Sequence, residues 1–278
     1  MARDVDWLAA CRRIVDRQRP IFVEHDSIER RTAYDGVGEG GDHALVIDRA
    51  CEDVVFSELE RLSSAGEAMV AISEERGAVA LGPQPAETRV VIDPIDGSLN
   101  ARRTLPSHCV SVAVASGGSM SDVDFGYIYD FGAGEEFVAE RGGGAKLDGR
   151  PLRTRPSSDR LEVVGLESTD PAVLAGPIEA LSGRSWRIRA VGAIAISLCY
   201  VAAGRFDGML TAKVCRSVDC AAGQLIVREA GGAVQFENLS VADASLELSS
   251  RYRLVAGCDA PALPTLSAAQ ARAPVPAG

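Results

Sequence analysis

Asp93 and Asp96 stand three positions apart across a proline in VVIDPIDGSLN, directly behind an apolar run that reads as a buried strand. Proline disfavours the helical region for the residue before it, so Asp93 is held extended at the strand's end. The Pro-Ile-Asp turn then swings Asp96 back toward the same mouth. Gly97 lets the backbone approach a ligand, and Ser98 can open a helix whose first amides lack internal partners, which suits an anion. Carboxylates beside such amides make sense with a cation between them, and magnesium bridges carboxylates to a substrate phosphate. The pattern has a second reading, a surface turn whose aspartates favour turn geometry.

Other acids share this setting. Glu74 and Glu75 follow an apolar run in AISEERG. Asp219 falls in the first turn of a helix in SVDCAAGQ, on the face of Ala222, Ile226 and Ala230. A contact with the helix dipole explains its charge but not its inward direction beside small residues. Asp48 lies on the apolar stripe of a helix near 44–63, where an acid is costly unless paired; half-exposure near the helix end is the alternative. The three histidines, His25, His43 and His108, are not at metal-ligand spacing, and the seven cysteines include no C-x-x-C pair. Any metal must therefore be held by oxygen, as magnesium, manganese or calcium are. The cysteines read as reduced thiols of a cytoplasmic protein.

The elements that must position these groups follow from periodicity. Val5, Leu8, Ala9, Ile14 and Val15 predict an opening helix. TAYDGVGEGGDHA carries no apolar period and reads as a loop, with 36–42 a candidate lid over Asp42 and Asp48. Short apolar runs ended by turns, among them RVVID, CVSVAVA, FGYIYD and EEFVAE, predict a substantial sheet. LEVVGLE, a helix over 171–182, the small-residue helix AIAISLCYVAAG, FDGMLTA and the helix SVDCAAGQLIVREAGG follow, the last with a Gly-Gly stop. AVQF and YRLVAG close the pattern. The tail from Pro261, rich in alanine and proline, is expected to be disordered over 261–278.

The chain has 278 residues, 46% hydrophobic and 24% charged, with 29 basic against 39 acidic residues and a net charge of −10. It can bury a large core, and its acidity speaks against nucleic acid as partner. The mixed charges of MARDVDWLAACRRIVDRQRP do not fit a secretory signal, and no apolar run reaches membrane-spanning length.

Asp93-Pro-Ile-Asp-Gly-Ser98, the preceding Glu74-Glu75, and Val218-Asp219-Cys-Ala-Ala-Gly223 followed by REAGG resemble the sugar-phosphatase superfamily of inositol monophosphatases and fructose-1,6-bisphosphatases. RAVGAIAISLCYVAAGRFDG and VAERGGGAKLDGRPL are similar to further family segments, and GEGGDHALVIDRACED resembles the archaeal-type branch, whose members often act on both substrates. The resemblance implies an α+β, layered αβαβα fold with two mixed sheets between helix layers. It implies one catalytic domain over 1–260, of two closely packed lobes dividing near 150–185. It implies Glu74, Asp93 and the Ile95 carbonyl on one magnesium, and Asp93, Asp96 and Asp219 on a second. Asp48 would stand near a third, water-rich position, and manganese could substitute. Glu74 and Ser98 would orient the attacking water, with Ser98 where most relatives carry threonine. The amides of Gly97 and Ser98 would cradle the phosphate.

The activity so implied is magnesium-dependent hydrolysis of inositol phosphates, fructose 1,6-bisphosphate or both, by a cytoplasmic homodimer. Inositol-dedicated relatives carry an acid upstream of the last ligand, where this chain has Thr211 or Ala212. Arg216 and Arg189 are instead candidates for a second phosphate, which a planar guanidinium suits, or are solvated arginines. A 3′(2′),5′-bisphosphate nucleotidase of the same superfamily and a non-catalytic metal- or phosphate-binding regulator on this fold are the alternatives.

Overall fold

The computed structural model describes residues 5–32, 34–37, 43–168 and 170–274. The chain opens with α1 (Trp7–Glu24), a single turn α2 (Ile28–Arg31) and a hairpin of β1 (Tyr34–Val37) and β2 (His43–Leu45) before α3 (Val46–Ser64). Next come β3 (Met69–Ser73), β4 (Gly77–Leu81), β5 (Arg89–Asp96), the short α4 (Ser98–Arg102), β6 (Cys109–Ala115), β7 (Val123–Asp130), β8 (Glu135–Glu140), β9 (Gly144–Leu147) and β10 (Arg150–Leu152). The second half runs β11 (Leu161–Glu167), α5 (Pro171–Leu181), β12 (Ser185–Arg189), α6 (Ile194–Ala202), β13 (Gly208–Thr211) and β14 (Cys215–Arg216). It ends with α7 (Ser217–Glu229), β15 (Ala233–Phe236), β16 (Arg251–Tyr252), β17 (Leu254–Gly257) and α8 (Leu263–Gln270).

Two mixed sheets carry the architecture. The eight-stranded one is ordered β10-β9-β8-β7-β6-β5-β3-β4, and the five-stranded one β12-β11-β13-β17-β15. Strand β6 shows why the layers form. Its Val110, Val112 and Val114 point into the core with α1 and α3, while Cys109, Ala113 and Ala115 point the opposite way onto α6 and α7. The period of two thus delivers bulky valines to one face and small residues to the other, where Ala221 and Ala222 of α7 press close. Helices α6 and α7 fill the space between the sheets, and α5 and α8 cover the outer face of the five-stranded sheet. The result is the α+β, five-layer αβαβα arrangement expected from the sequence.

Two expectations need correction. The segment from Pro261 is not disordered through residue 274: α8 buries Leu266 and Ala269, with Ala262 and Ala273 on the same side, against Leu210 and Val255. Those four residues recur at i, i+4, i+7 and i+11, a helical period that the alanine-proline composition masks. Pro264 lies in the first turn, where a missing N–H costs nothing. Residues 275–278 lie outside the described residues. The segment 32–44 is also not all loop, since β1 pairs antiparallel with β2. Residues 38–42, Asp42 among them, lie outside the described residues, so a lid there is not part of the description.

Candidate metal centre

Strands β3 and β5 run parallel, with Ser73 opposite Ile92. Parallel neighbours end at the same edge, so Glu74, just past β3, emerges beside Asp93. The register of β5 against β6 then shifts between Asp93 and Asp96, an irregularity that re-aims the second aspartate. Helix α7 brings Asp219 from far along the chain, three residues into its first turn.

The DPIDGS turn is held from several sides. The Asp93 carboxylate accepts from the Ile95 amide at 3.0 Å, and the Ser98 hydroxyl donates to the Ile95 carbonyl at 2.8 Å. Gln18, buried on α1, donates to the Pro94 carbonyl at 3.4 Å and the Cys51 carbonyl at 3.2 Å. The Ala195 amide at the start of α6 donates to the Asp96 carboxylate at 2.7 Å. Gly97 caps α4 at φ +85°, and a Cβ there would lie 2.7 Å from the Ser107 carbonyl, so backbone angle and space both demand glycine. On the other side, buried Glu52 of α3 accepts from the Ser73 hydroxyl and from the Arg76 amide at 3.3 Å, fixing the turn that carries Glu74.

Electrostatics show that these acids share one site. Burial pushes Asp93 well above the usual carboxylate range, and Asp96, Glu74 and Asp219 push it further. Asp96 is raised by burial and then by Asp219, against the Ala195 amide. Asp219 is pushed up to about 6 by burial, opposed by the Arg216 amide, which donates to it at 2.7 Å, while Glu74 raises it. Acids that raise one another in a buried site are only partly offset by nearby positive charge, here the arginines Arg216 and Arg251, which act on Asp219. Glu74 itself is turned into an ion pair with the Arg216 guanidinium. Among the described residues no three acidic, histidine or cysteine side chains form a ready-made metal cage.

The remaining candidates divide. Asp48 stands half-buried in the first turn of α3, where its charge acts on the Cys51 thiol one turn along. Ser98 is exposed at the mouth. Asp96 and Asp219 line a cavity of about 270 Å³ together with Glu167, Ser168, Gly192 and Lys213. Arg189 is not brought there. It ends the edge strand β12, donates to the Ile188 carbonyl at 2.9 Å, and lines a separate cavity with Asn100, Leu105, Tyr200 and Phe206. The sequence reading missed Glu167 and Lys213. Glu167 carries the same signal as Glu74, an acid closing an apolar strand, and that signal could have found it.

A donor set of carboxylates and carbonyls without histidine, drawn from distant stretches into one buried negative site, fits a hard divalent cation. No helix among the described residues is long and apolar enough to cross a membrane.

Comparison with known proteins agrees. The family model described as inositol monophosphatase family matches residues 10–259. A fructose-1,6-bisphosphatase/inositol-1-monophosphatase of Methanothermobacter thermautotrophicus is 31% identical over 229 residues, covering 79% of this chain and 80% of that one. Nus factor SuhB of Haemophilus influenzae is 34% identical over 213 residues, covering 74% of this chain and 76% of that one. A crystal structure of an inositol monophosphatase–fructose 1,6 bisphosphatase superposes with a TM-score of 0.81 over 95% of this chain and 100% of that one. Its 24% identity makes that a likeness of fold. With acids, fold and near full-length sequence match all in agreement, the protein belongs to the inositol monophosphatase family.

Proposed function

We propose that the protein is a magnesium-dependent phosphohydrolase acting on phosphate monoesters of inositol, on fructose 1,6-bisphosphate, or on both. The observation that carries this reading is the burial of Asp93, Asp96 and Asp219 at one site, each raised by burial and by a neighbouring acid, where a divalent cation would favour the ionised carboxylates. Glu74, Asp93, Asp96, Asp219 and the Ile95 carbonyl would hold two ions, with Asp48 near a third and manganese able to substitute for magnesium. Bound there, the ions supply Lewis-acid activation of water and neutralise charge on the phosphoryl and leaving oxygens.

The chain's own groups do the rest. The Ser98 hydroxyl donates a hydrogen bond to the Ile95 carbonyl, so its lone pairs are left to accept from the attacking water, which Glu74 would orient from the other side. Amides of Gly97 and Ser98 would receive the phosphate, and burial of the acids keeps charge–charge interactions strong. Lys213 and Arg216, near Asp219 in sequence, are the candidate cations for a second phosphate, each by exchange from its present carboxylate, Asp170 for Lys213 at 3.2 Å and Glu74 for Arg216, whereas Arg189 lines a separate cavity. A homodimer is part of the reading, supported by exposed Trp186 and Ile188 on the edge strand β12, and a cytoplasmic location goes with it. A second reading is a non-catalytic metal- or phosphate-binding regulator on this fold; the Haemophilus relative carries the name Nus factor SuhB rather than that of a phosphatase.

The test is phosphate release from inositol 1-phosphate, fructose 1,6-bisphosphate and adenosine 3′,5′-bisphosphate under magnesium titration. Turnover of one of the first two should require magnesium, and Asp93→Asn should lower it on the order of a thousandfold, about 4 kcal/mol of barrier, with the fold intact. Wild-type rates in Asp93→Asn would overturn the roles assigned. No magnesium-dependent release from any monoester would favour the binding role.

A further inference from the structure

Glu167 closes β11 on the five-stranded sheet and is 5% exposed, yet its neighbour across the cavity is another buried acid, Asp96. Placing two carboxylates together in the interior costs energy unless each is well solvated by protein dipoles. Glu167 is so solvated. One carboxylate oxygen accepts from the Val191 amide at 3.1 Å and from the Ser197 hydroxyl at 2.6 Å; the other accepts from the Gly192 amide at 3.0 Å. Three donors from one short segment converge on it. A glutamine could not replace it, because its NH₂ end is a donor and would face an amide N–H.

The clamped segment is the approach to α6. Its Gly192 has φ +77°, and a Cβ there would meet the Asn100 side chain at 3.1 Å. Asn100, in turn, donates to the Val191 carbonyl at 2.8 Å. Three residues after Gly192 comes Ala195, whose amide holds Asp96 at 2.7 Å. We propose that Glu167 is a positioning residue for the metal centre: it pins the 191–197 segment so that the Ala195 amide fixes the direction of the Asp96 carboxylate. It thereby ties one sheet's acid to the other sheet's edge without touching substrate.

The part of this inference that concerns metal rests on the proposed function; the part that concerns the segment does not, and the test separates them. Hydrogen exchange of peptides covering 191–197 is measured in metal-free wild type, Glu167→Gln and Ser197→Ala, alongside global stability and Mn²⁺ affinity by calorimetry. Glu167→Gln should speed exchange in 191–197 beyond any global change and weaken Mn²⁺ binding about tenfold, the range seen when a ligand's outer support is lost. Ser197→Ala, which removes one of the three bonds, should do the same to a smaller degree and carries the test if the glutamine variant does not fold. A lower melting temperature with unchanged local exchange and Mn²⁺ affinity within about twofold of wild type would overturn the proposal. If wild type binds no Mn²⁺, the metal reading fails and the exchange result alone decides the role of Glu167.

Discussion

At the scale of single residues, the pair Glu74–Arg216 sets the state of the centre before any cation arrives. Both side chains are mostly buried, and Glu74 cannot face a cation while its carboxylate is engaged by the guanidinium. The pair therefore competes with metal. Replacing Arg216 by glutamine keeps the backbone amide that caps Asp219 and removes the competitor, together with the charge that the guanidinium places near Asp219. Divalent affinity measured by calorimetry should then tighten by about two- to fivefold, the worth of a partly exposed ion pair. The melting temperature in chelator should fall, since Glu74 loses its counter-charge. Unchanged affinity would show that the pair is bystander geometry. Much of this centre could be read from sequence, because Glu74, Asp93, Asp96 and Asp219 each carry a local signature: an acid after an apolar run, beside proline and glycine, or in the first turn of a helix. Glu167 closes an apolar strand as Glu74 does and could have been read from that signal, but its role could not, because its partners lie 24 to 30 residues downstream. The pairing of Glu74 with Arg216 is likewise a product of folding across distant chain segments.

At the scale of elements, the same physics that made β6 legible hid α8. Alternation in CVSVAVA is plain, and its two faces, valine against cysteine and alanine, match two different neighbours. In α8 a true helical period is carried mainly by alanine, which contrasts little with the surrounding alanines and prolines. Only Leu266 stands out, fully buried against the Gly208 region of β13. Leu266→Ala should cost about 2–4 kcal/mol in denaturant unfolding, the loss for a buried leucine plus its cavity. A disordered tail would give no change at all. The β1–β2 hairpin was missed for a different reason: strands of four and three residues around a glycine-rich connection are too short for any period to emerge.

At the scale of the whole molecule, the layering explains why acids so far apart in sequence meet. Parallel β3 and β5 end at one edge of the eight-stranded sheet, β11 ends facing them from the five-stranded sheet, and α6 and α7, packed between, begin there. Strand ends and helix starts thus converge on one crevice, where open sheets characteristically bind ligands. The account stands on that convergence being made for divalent cations. Crystals soaked in Mn²⁺ and measured for anomalous scattering test it directly. The account predicts manganese peaks ringed by Glu74, Asp93, Asp96 and Asp219, with Arg216 drawn away from Glu74. Full-strength data with no peak among these acids, and Glu74 still held by Arg216, would contradict it.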